Sequence, residues 1–227
     1  MRYSDFETVM SPHRMARYLN ATGGDTKKAM TLYRLNLRAS QELFTIISCF
    51  EVALRNAIDS HYLPIWGNNW LRDAARTGGV LTNPKCGKTP DIVNNAVEKL
   101  KRNYSHPALI AEMDFGFWRY MFARHQFSAF RKTLLAIFPA KPVSSPAVSY
   151  DSNFVFTGLE KINGIRNRIA HHEPICFQNG AAACNTAYAR QHYQLILNLF
   201  TWLGIDECAL LYGLDHITDI LERIDHI

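Results

Sequence analysis

Apolar residues along most of this chain recur at helical spacing. After Asp25, the positions Met30, Tyr33, Leu37, Leu43, Phe44, Ile47, Phe50, Leu54 and Ile58 fall largely three or four apart, the period of one helix face. The pattern predicts a helix that Asp25 caps and that runs to about Tyr62, where Pro64 and Gly67 end it. That stretch is long for one straight globular helix, so a kink or break is expected near Ala39-Ser40. Upstream, Ser11-Pro12 reads as a cap followed by proline at the first helical position, giving a short helix over about 12–20 that Gly23-Gly24 breaks.

Downstream, Gly78-Gly79, Pro84, Gly87 and Pro90, with Lys85 and Lys88 between them, mark residues 67–90 as an exposed basic loop. Helices are expected from Asp91 to about Tyr104, from Pro107, and from the Phe115-Gly116-Phe117-Trp118 run to about Phe138. Pro139, Pro142 and Pro146 set a second loop over 139–151. Helix resumes at about Ser152 and must stop by Glu173, because Pro174 disfavours helix in the residue before it. A loop over 175–184, a helix from about Asn185 to Leu203 and one or two helical turns in the tail complete the pattern. Only the proline- and serine-rich stretch from Val143 to Val148 resembles strand alternation, and no internal repeat is seen. The expectation is one all-α domain over 1–227, with 67–90 and 139–151 as its loops.

Composition narrows the class. With 48% apolar and 20% charged residues in 227, the chain is neither disordered nor fibrous. A net charge of +5 and a sequence pI near 9.0 suit a polyanionic partner without requiring one. Five cysteines, an odd number with no C-x-x-C pair, argue against a disulfide framework or a zinc ribbon. Met1 to Asp5 offers no apolar signal core, and no run of about 18 apolar residues is present. A cytoplasmic protein, with no membrane partner, is expected. Gly-rich phosphate loops, H-E-x-x-H and nucleophile elbows are absent from the sequence.

Chemistry concentrates in Asn163-Gly164-Ile165-Arg166-Asn167-Arg168-Ile169-Ala170-His171-His172-Glu173-Pro174. Histidine titrates near neutrality and can move a proton in a transition state. Arginine presents a planar fork matched to phosphate oxygens. Together they supply what RNA cleavage needs without a metal: activation of the ribose 2′-hydroxyl, positive charge on the phosphate and protonation of the leaving 5′-oxygen. Asn167 and His171 share a helix face, as do Arg168 and His172. Arg166 and His171 stand about 140° apart around a straight helix. They meet only at a helix end, through a distortion, or through a second copy of the segment in a symmetric dimer. Read for structure alone, the segment is a basic helix end whose histidines favour the C-terminal dipole.

The segment also resembles the R-x(4–6)-H motif of HEPN ribonucleases. Arg166 and His171 have four residues between them and Arg166 and His172 have five, so both histidines fit. The wording from Arg166 to Pro174 resembles the Abi-like, abortive-infection branch. Two further blocks in order, Phe50 to Ile58 and Phe115 to Trp118, extend the similarity over roughly 11–203. The resemblance implies an HEPN-like helical bundle with additional helices. It also implies a homodimer with its site at the interface and metal-free endoribonuclease activity in phage defence or as a toxin, with no cofactor and with an antitoxin or regulatory partner as a further possibility. Arg166 would hold the scissile phosphate, His171 would be the acid or base with His172 in reserve, and Asn167 would orient His171 or the phosphate. The alternative is an RNA-binding or regulatory protein of the same fold without catalysis.

Other residues are weaker candidates. Glu51 and Arg55, four apart in the favourable order, are either a pair that orients the motif or a helix-stabilising ion pair. Arg55, Asn56 and His61 echo the motif's spacing. Trp118, Tyr120, Phe122, Phe127 and Phe130 read as core, with Arg119, Arg124 and Arg131 between them. His106 and His125 read as structural. Arg168, Arg119, Lys85 and Lys88 are the weak RNA-contact candidates.

Overall fold

A computed structural model describes residues 1–178 and 183–227. Among the described residues the protein is all-α, without a strand. Its helices are α1 (Tyr3–Met10), α2 (Pro12–Ala21), α3 (Thr26–Trp66), α4 (Trp70–Ala75), α5 (Thr89–Leu100), α6 (His106–Glu112), α7 (Phe115–Tyr120), α8 (Arg124–Ala129), α9 (Ser152–Ala170), α10 (Ala187–Trp202), α11 (Glu207–Leu210) and α12 (Ile217–Asp225). Among the described residues no helix is long and apolar enough to cross a membrane. Contacts divide the chain into two compact units: residues 1–48, 164–198 and 207–227 form the first, and 49–163 with 199–206 the second.

Local chemistry explains the element ends. The Ser11 Oγ accepts from the Arg14 amide at 3.3 Å and Pro12 opens α2. The Asp25 Oδ1 accepts from the Lys27 and Lys28 amides at 2.9 and 3.0 Å, which supplies the expected cap of α3. Those bonds, first the one from Lys28, hold the Asp25 carboxyl below its ordinary range. The expected break near Ala39-Ser40 does not occur, and α3 is continuous for 41 residues. Ala39 is fully buried and Ser40 stays half-exposed, so neither position opposes the helix.

In the first unit Tyr18 lies at the aromatic centre, edge-on to Tyr33 (centroids 5.1 Å) and to Phe177 (5.4 Å), while Phe6 meets Tyr33 at 5.5 Å. Ile217, Ile220, Leu221 and Ile224 give α12 a buried face. Asp225 near its end accepts from Thr186 and Arg190. The tail is thus a packed amphipathic helix.

The second unit is rich in aromatics. Phe50 packs edge-on against Phe200 (5.2 Å) and beside Phe115 (6.3 Å), and Tyr62 lies against Trp70 and Phe130. Asp59 Oδ1 accepts from the Trp70 indole and lies on His106 Nε2, both at 2.7 Å, so His106 has the structural place expected of it. Two expectations change here. The stretch 67–90 is not simply loop: α4 buries Trp70, Leu71, Ala74 and Ala75, and short 3₁₀ turns follow at Val80–Thr82 and Pro84–Cys86. Nor is Phe115 to Phe138 one helix. It breaks after Tyr120 and again where Arg131 and Lys132 take left-handed backbone (φ 59° each), and a 3₁₀ turn closes it at Leu134–Ile137. Trp118, Phe122, Phe127 and Phe130 are all buried, a set that one straight helix face cannot cover.

Candidate functional site

Every residue from Gly164 to Pro174 belongs to the first unit. The α-helix α9 ends at Ala170, and the next residues close it with two nested bonds. The His172 amide donates to the Ile169 carbonyl at 3.0 Å and the Glu173 amide to the Arg168 carbonyl at 2.8 Å. This is the Schellman ending, which calls for one residue of left-handed backbone, ordinarily glycine. Here that residue is His172, with φ 56°. Histidine enters this region more readily than most side chains but still at a cost of about 1 kcal/mol.

The ending gives the motif side chains unlike surroundings. His171 and His172 are exposed, as is Asn167. Arg166 is half-buried, and its Nε has no hydrogen-bond partner among the described residues. Both histidines lie just past the C-terminus of α9. A groove of about 380 Å³ adjoins His172, lined by Asn36, Leu37, Phe44 and Ile169 together with His172 and Glu173.

Arg168 has a different task. It is 8% exposed; its Nη2 donates to the carbonyls of Pro174 (2.5 Å) and Phe177 (3.2 Å), and its guanidinium lies over the Tyr188 ring at 4.7 Å. Its Nε is 3.6 Å from a Glu173 carboxylate oxygen. Arg168 is a staple for the loop after the motif rather than a surface cation for RNA. Buried Asn36 holds the same loop, its Oδ1 accepting from the amides of Ile175 (2.9 Å) and Cys176 (3.1 Å). Arg14 of α2 donates from Nη1 to the His172 carbonyl at 2.5 Å. Arg17 donates to Gln178 and stacks on Phe177. Arg14, Arg17 and Asn36 lie far from the motif in sequence. Only the amphipathic pattern of α2, with polar residues beside buried Met15 and Tyr18, hints that its basic face has work to do.

The remaining candidates belong to the second unit. Glu51 and Arg55 are half-buried on α3, and the Arg55 Nε lacks a hydrogen-bond partner among the described residues. His61 Nε2 pairs with Thr133 Oγ1 at 2.9 Å, and burial lowers its pKa. Arg119 reaches Glu160 at 3.5 Å and lies over the rings of Tyr120 (4.8 Å) and Phe156 (4.5 Å). It is thus tied down much as Arg168 is. Lys85 and Lys88 are exposed. Cys86 and Cys176 are buried, Cys208 is exposed, and the five cysteines are free thiols. Among the described residues no group of three or more His, Cys, Asp or Glu side chains is arranged to hold a metal ion.

The fold and this site define an all-α protein with an arginine–histidine helix end. Comparison with protein-family models, curated proteins and solved structures finds no match.

Proposed function

We propose that the protein is a metal-independent endoribonuclease, with Arg166 holding the scissile phosphate and His171 or His172 moving protons. The observation that carries this reading is the left-handed His172. An imidazole occupies the one backbone position of the Schellman ending where glycine is cheaper, and conformational cost of that kind collects at functional sites. The flanking geometry supports it. Both imidazoles reach solvent, Arg14 holds the His172 carbonyl, and Asn36 and Arg168 hold the loop that follows.

In the proposed reaction one imidazole takes the proton of the ribose 2′-hydroxyl as its oxygen attacks phosphorus. The Arg166 guanidinium stabilises the charge on the phosphoryl oxygens. A protonated imidazole delivers a proton to the departing 5′-oxygen. The products are a 2′,3′-cyclic phosphate and a 5′-hydroxyl. Asn167, one helical turn before His171, would orient it. The offset between Arg166 and the histidines makes a homodimer with the site at its interface the arrangement proposed for the active state. From the HEPN resemblance we further propose a role in phage defence or as a toxin, held in check by an antitoxin or regulatory partner in the cytoplasm.

The test is cleavage of a mixed single-stranded RNA in EDTA by the wild type, Arg166→Ala and the double variant His171→Ala/His172→Ala. Cutting by the wild type alone, with 5′-hydroxyl ends, is the expected result. Equal cutting by all three would place the chemistry elsewhere, and none by any would leave RNA binding without catalysis.

A further inference from the structure

The second unit carries a concave basic surface that the motif does not use. A cavity of about 580 Å³ opens between the Lys85–Lys88 turn and α7–α8, with Lys85, Lys88 and His125 at its rim and Phe117, Tyr120 and Gln126 in its walls. A neighbouring cavity of about 470 Å³ shares Lys85 and His125 with it and adds Arg124. The two therefore form one furrow.

Three features distinguish this furrow from an ordinary solvated surface. First, Lys85, Lys88 and Arg124 are all exposed, and none has a carboxylate partner among the described residues. The one acid in the lining, Asp114, caps α7, its Oδ1 accepting from the Phe117 amide at 2.7 Å. Second, Gly87 has left-handed backbone (φ 59°), which lets the chain turn between the two lysines so that both line one cavity. Third, the aromatic run of this region is otherwise core, yet Tyr120 is 46% exposed and Ile92 is 47% exposed in the same wall. Tyr120 is buttressed by Phe156, whose ring lies 5.7 Å away, and by the Arg119 guanidinium over its face. In the same wall the Gln126 Nε2 donates to the Cys86 carbonyl and to Thr89 Oγ1 in a buried network.

Unpaired cations along a furrow with a braced, exposed aromatic ring are the elements that grip single-stranded nucleic acid. Cations track phosphates, and the ring accepts a base face. We propose that this furrow binds a segment of single-stranded RNA several nucleotides long, as a docking site separate from Arg166–His172. The proposal takes RNA as the ligand from the ribonuclease reading. Lys85, Lys88 and Arg124 contact successive phosphates, and Tyr120 stacks a base.

The test uses the full chain and a fluorescent deca-uridylate with 2′-O-methyl sugars, which cannot undergo 2′-hydroxyl attack, so binding is read without cleavage. Each phosphate contact adds about 0.7 to the slope of log affinity against log salt on single strands. The Lys85→Ala/Lys88→Ala/Arg124→Ala variant should lose about 2 from that slope and bind ~10- to 100-fold more weakly at moderate salt. Its thermal midpoint should not move, because the three side chains are exposed and unpaired. Tyr120→Ala should weaken binding ~10-fold with the slope intact, and Tyr120→Trp should restore it. Unchanged affinity and slope in the triple variant would overturn the proposal. So would equal binding of a duplex of the same length, which offers no free base face, or indifference to Tyr120→Ala. If furrow variants weaken binding while wild type fails to cut unmodified RNA, the nuclease reading falls and the furrow stands.

Discussion

Arg14 donates to the backbone carbonyl of His172 at 2.5 Å, a bond that joins residues 158 positions apart in the chain. It tethers the peptide just beyond the left-handed His172, so the second helix from the N-terminus takes part in shaping the candidate site. Arg14→Met should therefore cost little stability, about 0.5–1 kcal/mol, because the bond is partly open to solvent. It should lower RNA cleavage more than that loss explains. Melting curves and single-turnover cleavage on the same preparations check this, and proportional losses would reduce Arg14 to an ordinary surface contact.

Asn36 is the buried support of the loop that follows the motif. Asn36→Leu leaves the amides of Ile175 and Cys176 without their acceptor. Two buried donors unpaired should cost about 2–4 kcal/mol. Urea denaturation should show a lower midpoint at an unchanged m-value.

His172→Gly removes a side chain from a position of positive φ. The variant should gain about 0.5–1 kcal/mol of stability if backbone strain is all that changes. Activity then identifies the working imidazole. Retained cutting assigns the proton transfers to His171, whereas a more stable but inactive protein assigns one of them to His172.

His61 gives a pH signature. Burial depresses its pKa from the ordinary 6.5, so the folded state favours neutral imidazole. That contribution to stability is complete above the unfolded pKa and is lost as pH falls through the folded value. His61→Gln, which can still bond Thr133, should flatten the decline of the thermal midpoint below pH 6.5. An identical decline in both proteins would show that other groups govern acid sensitivity.

Much of this architecture was legible because helix periodicity and capping are local. Asp25 announced the start of α3 and Pro174 bounded the end of α9. The failures came where tertiary burial overrides local signals. Nothing in the aromatic-rich stretch from Phe115 to Phe138 marks Arg131 and Lys132 for left-handed backbone. The Trp70-Leu71 and Ala74-Ala75 spacing was a helical signal inside a stretch dominated by glycine and proline. At the site, Arg166 to His172 stand out from the sequence by residue type alone. The buried stacking of Arg168 and the contacts from Arg14 and Asn36 depend on chain segments that no local pattern links.

The two units are interleaved along the chain, one built from three separate stretches and the other from two. Ribosomal synthesis therefore imposes an order on them. Residues 49–163, most of the second unit, emerge together and need only a short later segment to finish. The unit bearing Arg166 to His172 must wait for α12, whose Asp225 takes the hydrogen bonds of Thr186 and Arg190. A nascent chain halted before that helix would display both histidines on an unfinished scaffold, so any activity of this site would arrive late in translation.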